Sequence, residues 1–201
     1  MDWSPRRALP ILGAMTSYAT RNHAFVPACT WVLDGASVVV ESTEGADRFE
    51  LADLVELRLL YAPTRAELAR FECRLRTRDG RKWTFTSRTY RGLLDFAPTP
   101  VEYVGFVRAL VTAAAARAPG CRFRAGARTG SFVFNLGCTV AALVLLVVAV
   151  LLFAAIGGGA TVVIKLGLIV VLLPFAILWV KRNRPREFDP SAIPDELLPG
   201  S

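Results

Sequence analysis

The sequence predicts an α+β protein in two parts: an antiparallel β-sheet domain capped by one amphipathic helix, and after it an α-helical transmembrane hairpin. Residues 30–92 carry strand-like runs, a capped helix pattern follows at 99–118, and residues 132–180 contain one charged residue, Lys165. The whole chain has 201 residues with 24 Lys+Arg and 17 Asp+Glu, so nearly all the charge lies outside the apolar segment. The two parts of the chain are therefore expected to lie in different solvents, water and lipid. This excludes a wholly soluble protein, a disordered protein and a small domain held together by disulfides.

The strand region has the two-residue period of half-buried strands. β-Branched residues fill 36–42 after an Asp34-Gly35 turn, another strand begins at 48–51, and apolar side chains occupy every second position of 55–61. This period places one face of each strand against a core.

A β-hairpin with an Asp-Gly turn is the clearest element, and its register can be derived. A two-residue loop would mix apolar and polar faces, whereas a three-residue loop at 78–80 pairs Leu75 with Trp83 and Cys73 with Phe85. The second register keeps the apolar face whole. It predicts a type I turn with a G1 bulge, whose glycine is left-handed.

The opposite face of this hairpin region is basic. Its predicted outward residues are Arg70, Arg74, Arg76, Lys82 and Arg88. One interpretation is a solvated strand face; the other is contact with anionic lipid head groups or an acidic partner.

One helix follows the strands. Thr99 is placed as an N-cap, Pro100 suits the first helical position, Glu102 can complete a capping box, and the Pro-Gly pair at 119–120 ends the helix near 118. The predicted apolar stripe is Val101, Val104, Val107, Leu110, Val111 and Ala114. A helix of this kind covers the apolar face of a sheet, which gives an α+β arrangement.

This order, with TSRTYRGLLDF leading into VEYVGFVRALVTAAAARAP and then CRFRAG, resembles bacterial membrane proteins in which a PH-like domain is fused to a transmembrane hairpin. The resemblance implies a PH-like domain at 29–128, built as a bent antiparallel barrel plugged by the helix at 99–118. It does not imply phosphoinositide binding, because the loop after the first strand is Asp34-Gly35 and not a basic cluster.

The apolar segment is long enough for two spans. Residues 132–156 would form a helix of about 37 Å and residues 160–180 one of about 31 Å, against a hydrocarbon core of ~30 Å. Glycines at 157–159 favour a turn between them. Lys165 lies close to that turn, so its ammonium is expected to reach the interface rather than form an ion site.

Basic residues flank both spans and predict the topology. Arg117, Arg122, Arg124 and Arg128 precede the first span, and Lys181, Arg182, Arg184 and Arg186 follow the second. The positive-inside rule then predicts that both termini of a multi-pass protein with these two spans are cytoplasmic. The resemblance implies that the membrane is the bacterial inner membrane. The last seven of these residues join the basic hairpin face as predicted contacts with lipid head groups.

The two ends of the chain are less regular. Residues 1–28 are expected to be an irregular or partly helical segment that lies on the domain or on the membrane surface. A cleaved signal peptide is not expected, because the apolar run is short and contains a proline. The tail at 181–201 combines the basic flank with spaced prolines, which disfavour a helix. It is either a free end or a strip that docks on the domain or on a partner.

The sequence has no motif typical of catalysis, metal binding or cofactor binding. The four cysteines are too widely spaced for a metal knuckle or a redox pair, His23 is the only histidine, and no phosphate-binding glycine motif occurs in a suitable setting. We therefore expect no enzyme activity, no catalytic or metal-binding residues and no cofactor.

The preferred function is a membrane interaction or scaffold protein that presents the PH-like domain at the cytoplasmic membrane surface. The alternatives are a sensor of anionic lipid surfaces through the basic hairpin face, or an accessory subunit of a transporter or enzyme complex. Expected partners are the bilayer, anionic head groups, and another protein or a second copy. Nucleic acid is not expected, because residues 1–116 hold 15 basic and 13 acidic groups and so carry little net charge.

Overall fold

The computed structural model describes residues 16–21, 27–64, 69–92, 95–155 and 159–200. These residues form a mixed α+β structure of strands and helices. The strands are β1 (Thr16–Thr20), β2 (Cys29–Asp34), β3 (Ser37–Ser42), β4 (Gly45–Glu50), β5 (Leu54–Tyr61), β6 (Phe71–Thr77), β7 (Lys82–Thr86), β8 (Arg88–Gly92), β9 (Asp95–Pro98), β10 (Arg122–Ala125) and β11 (Arg186–Glu187). The α-helices are α1 (Pro100–Arg117), α2 (Thr129–Ala155) and α3 (Gly159–Asn183).

The first sheet is antiparallel, in the order β1-β2-β3-β4. Its edge strand β1 lies within the 1–28 segment that was predicted to be irregular, so that prediction is wrong for Thr16–Thr20. The strand is fixed by burial of Tyr18, which is 2% exposed and donates a hydrogen bond of 2.5 Å to the carbonyl of Thr86. Residues 1–15 and 22–26 lie outside the described residues.

The second sheet has the order β11-β10-β5-β6-β7. The predicted hairpin register is confirmed, because Leu75 lies opposite Trp83 and Cys73 opposite Phe85. Gly80 has the predicted left-handed backbone, with φ +87°. The prediction of a wholly antiparallel sheet is wrong here, because β10 runs parallel to β5 after α1 has returned the chain across the domain.

Helix α1 has the predicted start and end, but not the predicted cap. The Thr99 hydroxyl lies 2.8 Å from the Tyr18 hydroxyl and 3.2 Å from the Ser87 carbonyl oxygen, and it makes no capping bond to the helix. The predicted stripe is also partly wrong. Val101 is 79% exposed, whereas Tyr103, outside that stripe, is fully buried.

The two sheets and α1 enclose one core. Its largest fully buried side chains come from all three parts, so α1 closes the space between the sheets. They include Val38, Leu57, Leu59, Leu75, Phe85, Tyr103, Phe106, Val107 and Leu110.

Helices α2 and α3 pack on each other as an antiparallel pair, with the rings of Phe132 and Trp179 stacked 5.7 Å apart near the domain. Residues 156–158, which include most of the predicted glycine turn, lie outside the described residues. Within the described part of the chain, one helical segment, Thr129–Leu152, is long and apolar enough to cross a membrane. In its most apolar window only 6% of the residues are buried, unlike the core helix of a soluble domain.

The tail docks on the domain, which decides between the two interpretations of 181–201. Strand β11 pairs with β10, and the ring of Phe188 contacts that of Phe123 edge-to-face at 6.0 Å. Leu197 and Leu198, which are 1% and 4% exposed, enter the core. The free-end interpretation is therefore wrong, because the apolar side chains between the prolines are buried by the domain.

Candidate functional site: the groove between the sheet and the helices

The sheet and the helix ends meet in a tight backbone junction. Gly126 has φ +76°, and a Cβ there would lie 2.5 Å from the carbonyl oxygen of Arg184. The Ala127 N–H donates a hydrogen bond of 3.0 Å to the carbonyl of Asn183. Only glycine fits this approach, so the orientation of the helices on the sheet is fixed by backbone contacts.

Arg58 reinforces the junction from the outer face of the second sheet. Its Nη1 donates hydrogen bonds of 3.1 Å to the carbonyls of Gly126 and Ala127, and its side chain is 6% exposed. A buried guanidinium is stable only when its donors and its charge are paired. Glu56 supplies the charge, with an Oε1 that accepts a hydrogen bond of 2.8 Å from Arg58 Nε.

A cavity of about 670 Å³ separates this sheet face from the domain-proximal ends of α2 and α3; we call it the junction groove. Its lining residues are Glu56, Arg58, Leu60, Tyr61, Ala62, Pro63, Glu72, Arg74, Leu75, Arg76, Lys82, Trp83, Thr84, Ala127, Arg128, Ser131, Asn135, Trp179 and Asn183. The groove is basic, because five of these residues are Arg or Lys and two are Glu.

Both carboxylates of the groove are already paired. Glu72, with a side chain 8% exposed, lies 2.7 Å from Arg74 and 3.0 Å from Arg70. For Glu56, burial alone raises the pKa of the carboxyl. The hydrogen bond from Arg58 and the charges of Arg58, Arg124 and Arg128 outweigh burial, and the pKa is lowered.

The remaining positive charge of the groove is carried by Arg76, Lys82 and Arg128. In the described part of the chain none of the three has an acidic partner within 4.0 Å. Arg76 lies opposite Lys82 in the β6–β7 register and opposite Glu56 in the β5–β6 register, and the side chains of Arg76, Lys82 and Arg128 are exposed. Like charges placed opposite one another in a sheet are destabilising, and an anion between them would relieve the repulsion.

A second cavity of about 620 Å³ adjoins the groove and runs along the helices; we call it the apolar cleft. Its lining residues are Tyr61, Pro63, Thr139, Ala142, Leu143, Leu146, Ala176, Leu178, Trp179 and Arg182. Tyr61, Pro63 and Trp179 line both cavities, so a basic compartment at the sheet continues into an apolar one between the helices. Arg182 marks the boundary, with its guanidinium carbon 4.8 Å from the centre of the Tyr61 ring.

Asn183 is the buried polar side chain at the inner wall of the groove. It is 2% exposed, and its side-chain nitrogen Nδ2 has no hydrogen-bond partner among the described residues. An unpaired buried amide costs about 1–3 kcal/mol. The residue lines the groove, but Nδ2 itself is closed off from solvent.

The predicted lipid-contact residues do not form one continuous surface. Arg74, Arg76, Lys82 and Arg128 line the junction groove, Arg182 lines the apolar cleft, and Arg70 pairs with Glu72 beside the groove. Arg124 lies 3.5 Å from Glu187 and Arg186 lies 2.6 Å from Glu196, while Arg122, Lys181 and Arg184 are exposed. Arg88 lies on β8, in the separate β8-β9 sheet, so its predicted place beside Arg74 on one strand face is wrong.

Not all of this sheet face is solvated: Arg74, Arg76 and Lys82 are exposed, but two of their neighbours are not. Arg58 and Glu72 are buried on that face because the ends of α2 and α3 lie over it. Neither residue was selected from the sequence, nor were Tyr61, Trp179 and Asn183. Glu72 did carry a signal, as the one acid in an otherwise basic row of β6.

Among the residues that the structure describes, the cysteines are free thiols and no metal-binding cluster is found. No group of three or more His, Cys, Asp or Glu could hold a metal ion among the residues that the structure describes. Cys73 and Cys121 are buried free thiols, Cys29 is half-buried and Cys138 is exposed; burial raises the pKa of Cys121 to about 11. His23 lies outside the described residues.

Comparisons of the chain with protein-family models, with curated proteins and with solved structures found no match.

Proposed function

We propose that this chain is an integral membrane interaction protein, in which α2 and α3 form a two-span anchor that presents a PH-like domain at the cytoplasmic membrane surface. The observation that carries the proposal is the pairing of β10 with β11. These strands directly precede α2 and follow α3, and they lie side by side in one sheet. Because these strands are paired, both ends of the hairpin would stay on the same side of a membrane.

Exposure of α2 supports insertion. Phe134, Leu145 and Leu151 are 71%, 69% and 64% exposed, and the faces around them have no covering element in the described structure. An apolar surface of this extent is stable in lipid and not in water. The stacked Phe132 and Trp179 rings lie where α2 and α3 leave the domain, a position typical of membrane interfaces.

The proposal of a PH-like domain is supported by the two facing sheets and by α1, which closes the core between them. Neither sheet needs the membrane for its core, so the domain is free to bind a partner while the hairpin holds it at the surface. The docked tail adds to this rigidity through Leu197 and Leu198.

Membrane topology tests the anchor. We would replace the native cysteines with serine and introduce either Gly158→Cys, in the predicted turn, or Arg78→Cys, in the sheet turn. A membrane-impermeant maleimide should label Gly158→Cys from the outside in intact cells, and Arg78→Cys only after the membrane is opened. Release of the chain by alkaline carbonate, or labelling of both sites from the same side, would contradict the proposal.

The interaction role needs a separate measurement. Crosslinking in native membranes followed by purification should recover a defined partner or a dimer through the sheet domain. A chain that stays monomeric and uncrosslinked under all conditions would leave the anchor intact but contradict the scaffold role.

The junction groove favours a second function, recognition of anionic lipid. Its basic residues without an acidic partner among the described residues line a cavity shared with the start of α2 and the end of α3, which is the level of the head groups if the hairpin is inserted.

A further inference from the structure

We infer that the junction groove and the apolar cleft together seat one anionic phospholipid, with its phosphate on Arg76, Lys82 and Arg128 and one acyl chain between the helices. This inference rests on the proposed membrane insertion and deepens the second function by naming the site and its ligand class.

The shape of the two cavities fits this occupant. They adjoin at Tyr61, Pro63 and Trp179, so a ligand that fills both must be charged at one end and apolar at the other. Their volumes of about 620 and 670 Å³ lie within the range of small-molecule sites. The apolar cleft follows α2 from Thr139 to Leu146, a rise of about 10 Å along the helix.

The charges select an anionic head group. Charge cancels within the pair of Arg58 with Glu56 and within the pair of the exposed Arg74 with the buried Glu72. Three exposed basic residues of the groove are left without an acidic partner among the described residues. Charge-assisted hydrogen bonds from Arg and Lys to phosphate are the strongest class of such contacts. A head group with one or more net negative charges would bind, whereas a zwitterionic one would place its own cation beside Lys82 and Arg76.

Asn183 is a further polar residue of the groove wall, and its Nδ2, which is closed off from solvent, has no hydrogen-bond partner among the described residues. A turn of this side chain towards a bound lipid would give Nδ2 a phosphate or glycerol ester oxygen as its acceptor. The nearby Trp179 ring lines both compartments and fits the glycerol level of a lipid, between head group and acyl chain.

The test is lipid retention by the full chain, purified in a neutral detergent and analysed by native mass spectrometry. The probes are phosphatidylglycerol and phosphatidylcholine with identical acyl chains, and soluble glycerol phosphate. We expect one phosphatidylglycerol per chain, retained at least about tenfold better than phosphatidylcholine, and no retention of glycerol phosphate.

Two pairs of variants locate the lipid. R76Q/K82Q should lower phosphatidylglycerol retention at least about tenfold, whereas R78Q/R117Q, which removes two exposed basic residues outside the groove, should not. Ala142→Trp fills the apolar cleft and should also abolish retention, whereas Val144→Trp, which is outside the cleft on the same helix, should not.

Each contrary result overturns the inference. Equal retention of the two lipids removes the charge selection, and equal retention by R76Q/K82Q and R78Q/R117Q removes the groove. Normal retention by Ala142→Trp, or binding of glycerol phosphate, means that no acyl chain is seated. All of these outcomes are compatible with a correctly labelled, carbonate-resistant hairpin, so the inference can fail while the anchor stands.

Discussion

Helices α1 and α2 are both rich in apolar residues, but they meet different surroundings. In α1 the apolar side chains form one stripe, and Phe106 is fully buried against the core; in α2 they occur all round, and Phe134 is 71% exposed. The core of the domain is already closed by α1 and has no face left for a second apolar helix. A helix without a polar face suits another solvent, so the difference between α1 and α2 is the one expected between a helix of a water-exposed domain and a helix of the proposed membrane anchor.

The strongest test of this contrast uses one substitution in both helices. Phe106→Ala should lower the free energy of unfolding of the sheet domain by about 3–5 kcal/mol, because it opens a cavity among packed aromatic rings. Phe134→Ala should change it by less than about 0.5 kcal/mol. Urea unfolding of the full chain in detergent, followed by tryptophan fluorescence, measures both values. Equal losses would contradict the division into two environments.

The junction between the two regions should be nearly as sensitive. Gly126→Ala places a methyl group 2.5 Å from the Arg184 carbonyl oxygen and strains a left-handed backbone, so we expect a loss of about 3 kcal/mol or more. Gly105→Ala, on the exposed side of α1 with free space around it, is the control and should stabilise by about 0.5–1 kcal/mol. The same unfolding experiment applies. A tolerated Gly126→Ala would mean that the helices are not fixed to the sheet as described.

Docking of the tail predicts a third effect. Leu197→Ala should destabilise the domain by about 2–3 kcal/mol, because Leu197 is 1% exposed in the core. The matched control is Leu151→Ala, in the exposed part of α2. Protease sensitivity of the C-terminus should rise only in Leu197→Ala. Unchanged unfolding together with an already cleavable tail in the parent chain would indicate a free end.

The smallest predicted effect is a dependence on alkaline pH. Burial raises the pKa of Tyr18 from 10.0 to about 12, against the lowering effect of its hydrogen bonds with Thr99 and Thr20. The folded state therefore holds the phenolic proton more tightly than the unfolded state. That part of the stability is complete below pH 10 and is lost as the pH rises towards 12, by up to about 2–3 kcal/mol.

Tyr18→Phe isolates this contribution. The variant loses the hydrogen bond to Thr86, so at neutral pH it should be less stable by about 1 kcal/mol. Between pH 10 and 12 its stability should fall less steeply than that of the parent chain, so the two curves should converge and then cross. Parallel curves in pH-dependent urea unfolding would mean that Tyr18 titrates alike in the folded and unfolded states.

Features with a local cause were predictable from the sequence. The β6–β7 register follows from two-residue alternation and one Asp-Gly turn, and the limits of α1 agree with Pro100 at its start and the Pro-Gly pair at 119–120 after its end. For the hairpin, the alternative registers differ in which side chains reach water. The alternation of apolar and polar residues is therefore enough to choose between them.

Other features needed the fold. Thr99 was predicted to bond within its own helix, but Tyr18, 81 residues away in the chain, lies close enough to engage its hydroxyl instead. Tyr103 and Phe106 were missed as core residues because the direction of the stripe on α1 depends on which sheet it faces. In the candidate site, the sequence selected the basic row of Arg74, Arg76 and Lys82, but not the helix ends that turn this row into a groove.

The sequence by itself determined that one segment is apolar on all sides and that basic residues flank it, since transfer of a side chain between water and lipid depends mainly on the side chain itself. Tertiary structure decided that the tail returns as β11 beside β10, and that α2 and α3 lie over a charged sheet face. Those outcomes depend on distances between residues far apart in the chain, such as Gly126 and Arg184, and local patterns of side chains carry no information about such distances.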